Sequence, residues 1–402
     1  LSSYLNLLYG KKVLIFLDEY DTPMQEAYIN GYWDEFTGFM RSLFNATFKT
    51  NPYLERAIMT GITRVSKESV FSDLNNLTVI TTTSDQYADC FGFTEEEVFK
   101  TLDQFGMSDK KQIVKQWYDG FSFGPFKDIY NPWSITNYLK EKKLRPYWAS
   151  TSSNGLISKL LQSASANMKT QLEELLNGKQ IIVNFDEQII FGQLEQDENA
   201  VWSLLVASGY LKVEEIEYKG MTLEPWYHLA ITNLETISMF SNMFKGWFAT
   251  ASANYNEFIK AMLGGNVKAM NLYMNDIALA TFSSFDVGKH FSQRSQPERF
   301  YHGFVLGLLV EVRDLYEIRS NRESGYGRYD VMLIPKTKKN DGIILEFKVK
   351  ESEEKTLEET VQMALAQIES KKYDAELLEL GVSKEHIRHY GFAFEGKKVL
   401  IA

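Results

Sequence analysis

GYGRYDVMLIPKTKKNDGIILEFKVK, residues 325–350, holds two strand-like runs separated by a turn. VMLIP and IILEFKV are apolar enough to be buried strands, and TKKNDG between them carries turn-forming Asn, Asp and Gly. Charge sits where it is most costly. Asp330 opens the first run, and Glu346 and Lys348 lie inside the second. Buried acids and lysines are unfavourable unless they are paired or bind a metal. Residues two apart on a strand share a face, so Glu346 and Lys348 are neighbours, with Leu345 and Phe347 on the other side. Pairing through the turn brings Asp330 near Glu346 across the ladder. Two carboxylates held together repel unless a cation lies between them, and a hard divalent ion such as Mg2+ takes oxygen ligands of this kind. A lysine beside such a centre orients water or stabilises negative charge developing on a phosphate.

The flanking segments supply a frame. ERFYHGFVLGLLVEV reads as a helix and YEIRSN as a further strand. TLEETVQMALAQIESKKYDAEL reads as a long helix with Leu357, Val361, Leu365 and Ile368 on one face, and IRHYGFAFEGKKVLI as a closing strand or hairpin. The order is α-β-β-β-α-β. An Asp, then Glu-x-Lys across a hairpin in this frame resembles the PD-(D/E)xK nuclease superfamily. The resemblance implies that Asp330 and Glu346 bind Mg2+ and that Lys348 is the catalytic lysine of phosphodiester hydrolysis. It further implies a glutamine on the following helix, Gln367, with Tyr373 behind it. An acid on the first helix is implied as well, Glu298 ahead of Glu311. Tyr329 precedes Asp330 where the motif's name has Pro. SNRESGYGR adds Arg322, Glu323, Arg328 and two glycines, a place for a phosphate backbone to approach or a plain hairpin turn.

A second acid pair stands near the start. VLIFL, residues 13–17, is a continuous apolar run that ends in Asp18 and Glu19. A helix is expected over 35–49, and RAIMTGI follows as another buried strand ending in Thr60. Strands of this texture separated by a helix predict an α/β unit with a parallel sheet. The acid-ended strand resembles the Walker B element of P-loop NTPases. That implies ATP as ligand, Asp18 on Mg2+, Glu19 as base for the attacking water, Asp21 as accessory, and Thr60 and Arg64 sensing the γ-phosphate. No G-x-x-x-x-G-K-[ST] occurs in the 402 residues. The expectation is therefore either a chain that begins inside its ATPase domain or an ATPase-like domain without activity.

Between these ends, Thr94 with Glu97 forms a capping box, and aromatics are dense in WYDGFSFGPF and YNPWSITNYL. Trp117, Tyr118 and the phenylalanines that follow read as packing of a helical lid rather than as a base-stacking platform. GLISKLLQSA, KTQLEELLNG, AVWSLLVASGYL, NLETISMFSNMFKGWF and NEFIKAMLGGN read as helices. LIFLDEYDTPM, TGITRVSKESVFSDLNNL, FGFTEEEV, WYDGFSFG, YNPWSITNYL, LLVASGYL and SNRESGYGRYDVMLIP follow one another in this order. Together they resemble bacterial AAA-ATPase-like proteins with a C-terminal PD-(D/E)xK nuclease-like domain. The expected fold is α/β in three parts: a truncated P-loop ATPase-type parallel sheet over 1–86, a mostly helical lid or linker over 87–292, and an αβββαβ restriction-endonuclease-like domain over 293–402. The implied function is an ATPase-associated, Mg2+-dependent nuclease acting on nucleic acid, DNA rather than RNA. The alternative is a nucleotide-regulated module that binds nucleic acid or protein without cutting.

Bulk properties agree with a globular chain. Hydrophobic residues make up 44% and charged residues 24%, and the formal net charge of −10 excludes a uniformly basic nucleic-acid coat. Cys90 is the single cysteine, so no internal disulfide forms and a reducing cytoplasm is the expected setting. No run reaches the ~18 apolar residues of a membrane span, so no membrane partner is expected. Homo-oligomers are expected from the resemblance to ATPases. The five histidines lack zinc-type spacing, and His302, on an apolar helix, reads as a core residue.

Overall fold

A computed structural model describes residues 1–62, 77–149, 154–187, 197–281, 295–324, 327–337, 339–350 and 354–402. The chain packs as two compact units: 1–160 with 178–238, and 161–177 with 239–402.

The first unit begins with α1 (Ser2–Tyr9), β1 (Val13–Leu17), α2 (Thr22–Ile29), α3 (Trp33–Phe44) and β2 (Leu54–Met59). β1 and β2 pair in parallel, with Leu17 beside Met59. Proline in its first turn starts α2, where a missing N–H costs nothing. The helix expected over 35–49 is α3 continued by a π-helical turn, Asn45–Lys49. Next come β3 (Phe93–Thr94), α4 (Glu95–Gln104), α5 (Lys111–Tyr118), β4 (Phe121–Phe123), β5 (Phe126–Tyr130) and α6 (Pro132–Glu141). The Thr94–Glu97 capping box is present at the head of α4. Tyr118 is fully buried with Val114, Tyr130 and Tyr138, so it serves the core.

Next in chain order come α7 (Gly155–Ser163), α8 (Ala166–Leu176), β6 (Ile181–Val183), α9 (Asn199–Ala207), β7 (Leu211–Lys219), β8 (Glu224–Ile231) and α10 (Leu234–Trp247), of which α8 and the C-terminal parts of α7 and α10 belong to the second unit. Helices predominate among the described residues of 87–292, but the expectation did not include strands here. Two three-stranded sheets interrupt the helices, ordered β3-β5-β4 and β6-β8-β7. LKVEEIEYK hid its strand because the β7–β8 register shifts between Val213 and Glu215. A bulge of this kind breaks the alternation of period two on which a strand is recognised.

The second unit continues with α11 (Ser252–Gly264), α12 (Val267–Thr281), α13 (Ser295–Val312), β9 (Tyr316–Ser324), β10 (Gly327–Pro335), β11 (Gly342–Val349), α14 (Leu357–Lys371), α15 (Asp374–Glu379), β12 (Ile387–Glu395) and β13 (Lys398–Ile401). Its five strands form one sheet ordered β13-β12-β11-β10-β9. β11 and β12 are parallel, and the other pairs are antiparallel. Parallel neighbours need a crossover, and α14 supplies it. β11 is central and almost wholly buried, which explains its continuous apolar sequence. The helices cover opposite faces. From α13, Tyr301 stacks on Phe347 with ring centroids 5.0 Å apart. From the other side, α14 buries Val361, Ala364 and Ile368. The short α15 and the closing hairpin extend the expected α-β-β-β-α-β order. No helix among the described residues is long and apolar enough to cross a membrane.

Candidate functional site

β10 and β11 pair with Val331 opposite Leu345 and Met332 opposite Ile344. One step further along this register sets Asp330 opposite Glu346. Asp330 Oδ2 accepts the backbone N–H of Phe347 at 2.7 Å, which fixes the carboxylate against β11. Glu346 is 2% exposed. Its Oε1 accepts a short hydrogen bond from Gln367 Nε2 on α14. Its Oε2 is buried and has no hydrogen-bond partner among the described residues. Lys348 Nζ donates to Gln367 Oε1 at 2.8 Å. The Gln367 amide therefore bridges the acid and the lysine, and its nitrogen also reaches Tyr373 Oη at 3.1 Å. Asp330, Glu346, Lys348 and Gln367 thus converge, with Tyr373 behind them.

Burial pushes the Glu346 carboxyl up to about 8, and the negative charge of Asp330 adds to the rise, while Lys348 opposes it. A carboxyl that holds its proton more tightly when folded binds more protons folded than unfolded between its ordinary 4.5 and about 8. Stability of the metal-free protein therefore falls as pH rises through that window. We expect a loss of about 2–4 kcal/mol across it, read by urea denaturation. Glu346→Gln flattens the slope, and an unchanged slope in that variant rules out Glu346 as its source.

The site fits a hard divalent cation. An orphaned, buried carboxylate oxygen beside a second carboxylate is the oxygen donor set that Mg2+ takes, completed by water or substrate oxygens. A positive charge between Asp330 and Glu346 also removes the repulsion that raises the Glu346 carboxyl.

A residue not singled out in the sequence completes the site. Gly391 of β12 lies beside Glu346 of β11. A Cβ on Gly391 would meet the Val361 carbonyl oxygen at 2.9 Å and the Ala364 Cβ at 3.1 Å. Its bare backbone lets α14 lie close enough for Gln367 to reach Glu346. A lone glycine inside the strand pattern IRHYGFAFE was the available signal. Gly391→Val should destabilise the protein by about 1–3 kcal/mol, measured as a lowered denaturation midpoint.

The other expected residues lie elsewhere. Glu298 is on α13, and its side chain is outside the described residues, as are those of Arg322, Glu323 and Arg328 and both residues 325–326. Glu311 pairs with Lys245 at 3.0 Å. His302 is buried, and burial, followed by the Lys169 charge, pushes its imidazole down to about 4.

Asp18 and Thr60 follow the ends of β1 and β2, so the parallel pairing sets them side by side. Thr60 Oγ1 donates a short hydrogen bond to Asp18 Oδ1, which also accepts the Glu19 N–H at 3.1 Å. Glu19 has φ 49°, in the left-handed region, so the chain turns sharply at the strand end. Asp21 is buried and accepts the Ile62 N–H at 3.0 Å. A Cβ at Gly61 would lie 2.5 Å from Asp21 Oδ1 and 2.8 Å from Tyr20 Cε1, so a larger residue there would push these side chains aside. Arg64 lies outside the described residues.

Residues 296–402 match the family model described as the PD-(D/E)XK nuclease superfamily, and residues 1–71 match the model described as a predicted AAA-ATPase. A protein of Azotobacter chroococcum mcd 1, described as an uncharacterized protein in the vnfD 5' region, is 26% identical over 227 residues. That match covers 56% of this chain and 41% of the relative, so it spans about two fifths of the relative's length. No solved structure matches. The chain thus carries, in this order, an AAA-ATPase-like segment and a C-terminal domain of the PD-(D/E)XK nuclease superfamily.

Proposed function

We propose that the chain is an ATPase-associated, metal-dependent nuclease that hydrolyses phosphodiester bonds of nucleic acid, with DNA the first candidate substrate. One observation carries the reading: the buried Glu346, with an oxygen that has no partner among the described residues, joined through Gln367 to Lys348 and set beside Asp330. Asp330 and Glu346 would hold Mg2+, which when bound supplies Lewis acidity toward the phosphate and a more acidic water. Lys348 presents its ammonium to the attacked phosphate or to the attacking water. Gln367 fixes the Lys348 head and the Glu346 carboxylate relative to each other, and Tyr373 holds the Gln367 amide. Apolar neighbours on β10 and β11 keep these side chains from adopting other arrangements.

The N-terminal cluster supports the second half of the reading. Asp18, Glu19 and Thr60 meet at the carboxyl ends of parallel strands, the edge at which α/β sheets bind ligands. We assign Asp18 to a nucleotide-bound Mg2+, Glu19 to water activation, and Thr60 with Arg64 to phosphate sensing. We also keep the three-part division at 86/87 and 292/293 as the functional plan. The test is incubation of the purified chain with supercoiled DNA, linear duplex and single-stranded RNA, with Mg2+ or Mn2+. Metal-dependent cutting of DNA is expected. If no substrate is cut with either metal but DNA binds tightly without metal, the domain is a binding module rather than a nuclease.

A further inference from the structure

We propose that Glu95, Asp119 and Asp128 form a separate cation site in the first unit, taking one hard divalent ion of the calcium and magnesium class. Glu95 opens α4, Asp119 follows α5, and Asp128 lies in β5. Each offers one carboxylate oxygen, and the three oxygens lie within 4.8 Å of one another. Calcium holds its oxygens at about 2.3–2.6 Å, so ligands on opposite sides of the ion stand about 4.6–5.2 Å apart. All three oxygens therefore fit in one coordination sphere.

Lys115 only partly balances this charge. Its Nζ pairs with Glu95 and lies 3.2 Å from Asp128 and 3.7 Å from Asp119. Lys212 also acts on Asp128 but pairs with Glu214 at 2.8 Å, so with the three carboxylates ionised the cluster keeps a net negative charge that a divalent ion would cancel. A second observation points to a ligand. Asp119 is 6% exposed, and its Oδ1 has no hydrogen-bond partner among the described residues. Lys115 approaches the other oxygen, Oδ2, and at 3.7 Å it is beyond hydrogen-bond reach. A buried carboxylate oxygen with no donor is unfavourable, and a cation that reached it while held by Asp128 and Glu95 would satisfy it. Burial, together with the charge of Asp128, also pushes the Asp119 carboxyl up to about 7, the environment that a bound cation reverses. The ion would tie together the head of α4, the end of α5 and the turn of β5. This site owes nothing to the nuclease reading.

Tyr130 gives the site its own probe. Its Oη donates to Glu95 Oε2 at 3.2 Å, so a phenol adjoins the ion. The experiment uses Tb3+ as the calcium surrogate on the full chain carrying Asp330→Asn and Glu346→Gln, which silences the sheet site. Tyrosine-excited terbium emission is expected, saturating at one ion per chain and displaced by excess Ca2+. Adding either Asp128→Asn or Glu95→Gln should lower it at least tenfold. Both changes are isosteric, and Asp128 has φ 57°, which asparagine tolerates. Loss of emission in either variant supports the site. Absent emission in the parent, or emission unchanged in both variants, overturns it and leaves a proton shared between Asp119 and Asp128 as the way the buried oxygen is satisfied.

Discussion

Asp330→Asn is expected to abolish the proposed metal-dependent cleavage and, above about pH 8, to make the metal-free protein more stable. The asparagine Oδ1 can still accept the Phe347 N–H that Asp330 accepts at 2.7 Å, so the hairpin keeps its local geometry. What disappears is the Asp330 charge, which repels Glu346 whenever that carboxyl is ionised. Losing a ligand should weaken ion binding by more than the about 10–100-fold typical of outer-sphere changes, and cleavage falls with it. The same change removes the like charge that raises the Glu346 carboxyl. Above about pH 8, where Glu346 is ionised, relief of that repulsion should stabilise the apo protein by about 1 kcal/mol, visible as a higher melting temperature without metal. Opposite movements of activity and stability mark a site held together for function. A variant that lost both would show Asp330 to be a structural acid instead.

Lys348→Met is expected to lower the proposed cleavage rate by about 10²–10³-fold without abolishing ion binding. Methionine keeps most of the lysine stem and removes the ammonium that Gln367 holds at 2.8 Å. The positive charge opposes the rise of the Glu346 carboxyl, so its removal should move the pH–rate profile to higher pH. Single-turnover rates across pH, with Mg2+ affinity measured by calorimetry, separate the two effects. Full activity in Lys348→Met would remove the lysine from the chemistry.

The C-terminal sheet was legible because its sequence is consistent at several levels. VMLIP and IILEFKV read as strands, the turn between them fixed their pairing, and period two put Glu346 and Lys348 on one face. Gln367 was legible only through a family resemblance, since a glutamine on a helix has no local signature of its role. Gly391 left only a lone glycine in a strand pattern as its trace, because its importance lies in a backbone approach from α14, a contact distant in sequence. The sheets of the middle region were missed for a related reason. Their strands are short or bulged, as at Val213–Glu215, and the alternation that marks a strand is broken there. The acid cluster at Glu95, Asp119 and Asp128 draws on α4, the end of α5 and β5, so only folding assembles it.

Cleavage assays depend on finding the right nucleic acid, whereas ion binding does not. The most direct test is therefore a crystal of the full chain soaked in Mn2+, with the metal located by its anomalous scattering. A peak is expected within about 2.0–2.6 Å of Asp330 and of the Glu346 Oε2 oxygen, with Lys348 still held by Gln367. An anomalous map with no peak between these carboxylates, in crystals where Asp330 and Glu346 remain side by side, would contradict that expectation.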